Sequence, residues 1–142
     1  MKGLGNLIRL HKLKLTEQQK KLNDLQAVAH GFEAQIRDLD QSAQDEAARA
    51  EGQTETAYTL GSYVQASLAR RATLQASLDE INREMGIIRD HVATAFRELK
   101  RYELIAERRE AEQARTQRKR ERRKEDELGL SMFRQRRRDE GV

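Results

Sequence analysis

The sequence predicts an all-α fold: a long two-helix antiparallel coiled-coil hairpin with a basic helical C-terminal overhang. Three observations predict it. An apolar seam with heptad spacing runs twice along the chain. There is no proline in 142 residues, where average usage would place about seven. The commonest residues are Ala, Leu, Glu, Gln, Lys and Arg, all strong helix formers. With 37% apolar and 37% charged residues, a chain of this length has too little buried-type surface for a globular enzyme core.

The first helix is read from apolar positions that recur at alternating steps of four and three. They are Leu4, Ile8, His11, Leu15, Gln18, Leu22, Leu25, Ala29, Phe32, Ile36, Leu39, Ala43, Glu46 and Ala50. The second helix restarts the stepping at Leu60. It continues through Val64, Ser67, Arg71, Leu74, Leu78, Ile81, Met85, Ile88, Val92, Ala95, Leu99, Tyr102 and Ala106. A period of 3.5 residues predicts a left-handed supercoil, and two apolar positions per seven form a narrow seam suited to a thin rod. Between the two seams lies a segment of about 51–59, read as the hairpin turn, where Gly52 would supply a left-handed cap and a threonine would cap the next helix.

An antiparallel coiled coil sets an a position against a d position. One register does this throughout, pairing residues whose numbers add to 110, from Leu39 with Arg71 to Leu4 with Ala106. A slip of seven would keep the same alternation, but large side chains face small ones at 29/81, 15/95 and 4/106, which favours this register. In the hairpin domain 1–106, the paired region 4–106 would then be a rod on the order of 70 Å long. The glycine-containing interruption and the single register favour a monomeric hairpin over a parallel dimer of opened chains.

Residues 107–142 form a second region, a charged helical extension ending in a mobile tail. It holds 13 basic and 9 acidic residues, so the whole formal net charge of +4 resides there and the first 106 residues balance. Seven of those basic residues fall within 115–124, interrupted by Glu121 alone, and Arg134, Arg136, Arg137 and Arg138 follow a short apolar patch. Such a run is most simply a solvated face. Nucleic acid is disfavoured as a partner, because no aromatic residue between Tyr102 and Phe133 offers a stacking platform and Glu110, Glu112, Glu121 and Glu125 break the stripe.

Little in the chain points to chemistry. There are three histidines, no cysteine, no metalloprotease motif and no Gly-rich phosphate loop, so no catalytic residue, cofactor site or metal site is read and the protein is expected not to be an enzyme. His11, at a d position opposite Leu99, reads as a polar residue that disfavours wrong pairings. The absence of cysteine suits a reducing compartment, and no apolar stretch is long enough for a membrane span or a secretory leader. Near the turn, the seam is weakened by Glu46, Ser67 and Arg71, and Tyr58 and Tyr63 stand there as candidate interface anchors.

Three stretches carry a resemblance. Residues 7–15, LIRLHKLKL, followed by 17–25, residues 96–109, FRELKRYELIAERR, and residues 123–128, RKEDEL, resemble the flagellar export protein FliJ family. The resemblance implies a stalk-like coiled-coil component of the flagellar type III export apparatus, lying in the cytoplasm at the inner membrane of the flagellar base. Its implied partners are a hexameric export ATPase, an export-gate membrane protein, and export chaperones or substrates. In that picture the open end of the hairpin enters the ATPase ring. The outward positions there are Arg9, Lys12, Arg97, Lys100, Arg101 and Glu103, between the layers Leu4/Ala106 and His11/Leu99. Tyr58 and Tyr63 at the tip would face the gate. The seam residues Leu15, Leu22, Leu25, Phe32, Ile36, Leu74, Leu78, Ile81, Met85, Ile88, Val92 and Leu99 would hold the scaffold. Two other functions compete: a general coiled-coil adaptor or chaperone, and a basic nucleic-acid-associated coiled coil.

Overall fold

A computed structural model describes residues 2–51 and 54–141, and the side chains of 2 and 54–59 lie outside that description. Two helices make up the fold, α1 over Lys2–Ala50 and α2 over Thr54–Glu140, and they pack against each other. No strand occurs among the described residues. Helices of 49 and 87 residues are far longer than the mean in globular proteins, as expected when a heptad seam, not a compact core, selects the length.

The seam positions are buried or half-buried without exception, at all fourteen sites from Leu4 to Ala50 and all fourteen from Leu60 to Ala106. Nearly everything between them is exposed, so burial follows the alternating four-and-three step residue by residue. Such a core is one layer deep. Among the described residues no large side chain is fully enclosed, because each seam residue meets its partner layer on one side and flanking polar stems on the others.

The chain divides into two units, Leu10–Arg97 and a second made of Met1–Arg9 with Glu98–Val142. In the first, Ala29, Ile36, Leu74, Leu78 and Met85 form the buried cluster, and Leu22, Leu25, Phe32, Leu39 and Ile81 pack against it. Eight of these ten fall in four layers of the register read from the sequence, 25/85, 29/81, 32/78 and 36/74, and Leu22 and Leu39 belong to the layers on either side. Nearer the turn, the Arg71 guanidinium at its seam position donates from Nε to Asp40 Oδ1 at 2.9 Å. Asp40 is next to Leu39, which the register places opposite Arg71, so the basic seam residue gains a carboxylate partner from the flanking position. The second unit carries the single buried residue Leu99 and then the stretch 107–141, every residue of which is exposed.

Two boundaries differ from expectation. α2 begins at Thr54, so most of the segment read as turn is helix, while Gly52, the proposed cap, lies outside the described residues. The helix also continues to Glu140, through the segment read as a tail. A run without proline and rich in Arg, Glu, Gln and Ala needs no seam to favour helical geometry.

Because Leu78 sits in the middle of the buried cluster, Leu78→Ala is expected to cost about 2–4 kcal/mol. Ala47→Ser, on the exposed face, should change stability by less than about 0.5 kcal/mol. Thermal unfolding followed by circular dichroism at 222 nm checks both, and equal effects at the two sites would rule out the seam as the source of stability.

Candidate functional site

Removing the seam residues leaves the candidate contact surface as whatever the heptad turns outward. In the unit Leu10–Arg97, Lys12 and Arg97 are exposed, and so are three large apolar side chains, Leu10, Leu13 and Phe96. Lys12 and Leu13 occupy the turn of α1 after the buried His11, and Phe96 and Arg97 the turn of α2 after the half-buried Ala95. Each helix therefore presents an apolar residue beside a cation, a combination that buries well against a partner while the charge steers the approach. His11 is only 7% exposed. Two turns further along α1, Gln18 Oε1 is buried without a hydrogen-bond partner. Two polar groups set into layers on either side of Leu15 lower the local stability of the seam and penalise shifted registers.

In the other unit, Arg9, Lys100 and Arg101 are exposed and Leu104 is an exposed apolar neighbour. Glu103 departs from the expectation that it stands outward. It is half-buried, and Lys100 Nζ donates to its Oε2 at 3.3 Å. The reason is position: Glu103 directly follows the seam residue Tyr102, at the edge where the carboxylate stem covers the seam. Leu4, Gly5 and Ile8 of α1 with Ala106, Arg109, Glu110 and Gln113 of α2 line an open groove of about 330 Å³ in this unit. The groove lies where α2 passes the last layer and its side chains become charged.

At the other extremity of the seam, Tyr63 is 37% exposed, enough to offer its ring edge and hydroxyl to a partner. The Tyr58 side chain lies outside the described residues. Charge and aromatic content identified these positions, whereas the exposed Leu10, Leu13, Phe96 and Leu104 were missed. They could have been found as apolar residues falling off the four-and-three step. No group of three or more metal-ligating side chains occurs among the described residues, and no helix there is long and apolar enough to cross a membrane.

Comparison with known proteins places the chain in a family. The family described as "Flagellar FliJ protein" matches residues 1–138, ten residues beyond the point where the sequence resemblance ends. The chain is 30% identical over 106 residues to a protein called Flagellar FliJ protein in Caulobacter vibrioides strain NA1000 / CB15N, and equally so to that of strain ATCC 19089 / CIP 103742 / CB 15. The alignment covers 75% of this chain and 76% of each relative. No solved structure matches the chain.

The exposed ion pair between Lys100 and Glu103 contributes little to folding. Lys100→Ala is expected to change stability by less than about 1 kcal/mol, read by urea denaturation; a larger loss would mean that the cation supports the seam.

Proposed function

The chain belongs to the FliJ family of flagellar proteins, and from that premise we propose that it is a non-catalytic coiled-coil component of flagellar protein export. In this reading it acts as a stalk that stimulates a hexameric export ATPase and reaches a membrane export gate. The observation that carries it is the division of labour along each helix. Twenty-eight seam positions are half-buried or buried and hold two helices together, while cations are left exposed beside them, Lys12 and Arg97 in one unit and Arg9, Lys100 and Arg101 in the other. A stalk that turns or tilts inside a ring needs such an arrangement, with rigidity from an internal seam and contact through outward groups that folding does not consume. Glu103 belongs to the same surface as the group that orients Lys100.

The gate contact is assigned to Tyr58 and Tyr63. The half-buried polar layer around Arg71 and Asp40 supports this, because a weakly apolar stretch of seam lies next to an exposed tyrosine. Residence at the cytoplasmic face of the inner membrane follows from these two partners. An adaptor or chaperone role is the second reading, favoured by the exposed Leu10, Leu13 and Phe96, which would hold apolar segments of export substrates or their chaperones.

The test is the rate of ATP hydrolysis by the cognate export ATPase as the purified chain is titrated in. Stimulation saturating near one chain per hexamer is expected. Combined Arg9→Glu, Lys12→Glu, Arg97→Glu and Arg101→Glu should abolish at least about nine-tenths of it while leaving helicity unchanged, since reversal of steering charges costs several kcal/mol at an interface. Unaltered stimulation by that variant would remove the contact surface, and stoichiometric retention of unfolded substrate without stimulation would establish the holding role. Tyr63→Ala with Tyr58→Ala is expected to weaken gate binding in a pull-down and to spare stimulation.

A further inference from the structure

The stretch of α2 after Ala106 is exposed at every described position, yet its side chains are not scattered evenly. Arg108, Arg115, Lys119 and Arg122 follow one another at steps of seven, four and three residues, which places them on one face of the helix. Eleven residues, or three turns, past Arg122 the same face reaches Phe133, and one turn later Arg137, with Leu130 at its flank. Phe133 and Leu130 are 59% and 57% exposed, and the Arg137 guanidinium carbon lies 5.8 Å from the Phe133 ring centroid. Glu110 and Glu121 occupy the opposite side, where Leu128 and Met132 are also exposed, and Glu125 stands at the edge between the two. Glu112, Asp126 and Glu140 are the three acidic residues that fall on the basic face, against five cations.

We propose that this face of α2 binds the surface of an anionic lipid bilayer, with the 108–122 cations against the headgroups and Leu130 and Phe133 immersed at the acyl boundary. Charge complementarity identifies the occupant. A straight helix face presents its cations in one plane, and a flat anionic surface can neutralise all of them together, at a gain that accumulates per Lys or Arg. The apolar pair is the second requirement, because electrostatic attraction alone holds a helix loosely and exposed Leu and Phe at the same face supply the buried area. Arg137 over the Phe133 ring keeps a cation at the depth of the headgroups while its aromatic neighbour goes below. A nucleic acid would satisfy the cations and leave Leu130 and Phe133 in water.

The experiment is co-sedimentation of the full chain with vesicles of phosphatidylcholine alone and with phosphatidylglycerol added, at low and at physiological salt. Binding is expected only to the anionic vesicles and should weaken as salt rises. Arg115→Glu with Lys119→Glu and Arg122→Glu should lower the partition coefficient by more than about 100-fold. Leu130→Ser with Phe133→Ser should lower it by at least about ten-fold. Glu110→Gln with Glu121→Gln, on the far side, should not lower it. All these residues lie outside the seam, so circular dichroism of each variant is expected to match the parent and separates loss of binding from loss of fold. Equal binding to neutral vesicles, or no binding to anionic ones, overturns the proposal. So does a Leu130→Ser, Phe133→Ser variant that binds as the parent does while duplex DNA competes for the same cations, which would make the face a general polyanion contact.

Discussion

Everything in this molecule depends on a stripe two residues wide. A helix with two apolar positions per seven cannot bury its stripe against itself, and 37% apolar content supplies no third layer to cover it. The stripe of α1 is therefore closed by that of α2, and both must keep the 3.5-residue period for as long as they remain in contact. Length, helix content and the outward display of charge all follow from that constraint.

The narrowness of the stripe also explains where stability is concentrated. Ala29, Ile36, Leu74, Leu78 and Met85 lie where consecutive layers are apolar on both sides, and there the seam is most nearly dry. Toward the turn, Arg71 occupies a seam position and pairs with Asp40 of the facing helix at 2.9 Å, a contact that stays partly solvated. His11 and Gln18 set further polar groups into the seam in the opposite direction. Polar layers of this kind contribute to choosing one register among those that a heptad repeat permits, at some loss of strength.

The seam was readable from residue type alone because burial in a coiled coil depends on position in the repeat and hardly on distant sequence. His11 and Arg71, polar as they are, sit where the stepping puts them. The start of α2 at Thr54 was not readable, since propensity for helix in 54–59 competes with turn signals of similar strength. Outward positions were harder still. Glu103 is partly covered although the heptad turns it away from the core, and Leu10, Leu13 and Phe96 stay exposed although their chemistry suggests otherwise. Flank positions are decided by side-chain stems that lean over or away from the seam, which a periodicity count does not see.

α2 carries its helix past Ala106 into a stretch where no second helix covers it and all of 107–141 meets water. Backbone hydrogen bonds there close and reopen under intrinsic propensity alone, which for a segment of this length is only marginally favourable. Amide exchange should consequently fall into two regimes along one continuous helix, slow before Ala106 and fast after it. A ligand seated on the later stretch would slow its exchange, and part of the binding free energy would appear as added helix order. Its affinity would inherit the temperature dependence of a helix–coil transition.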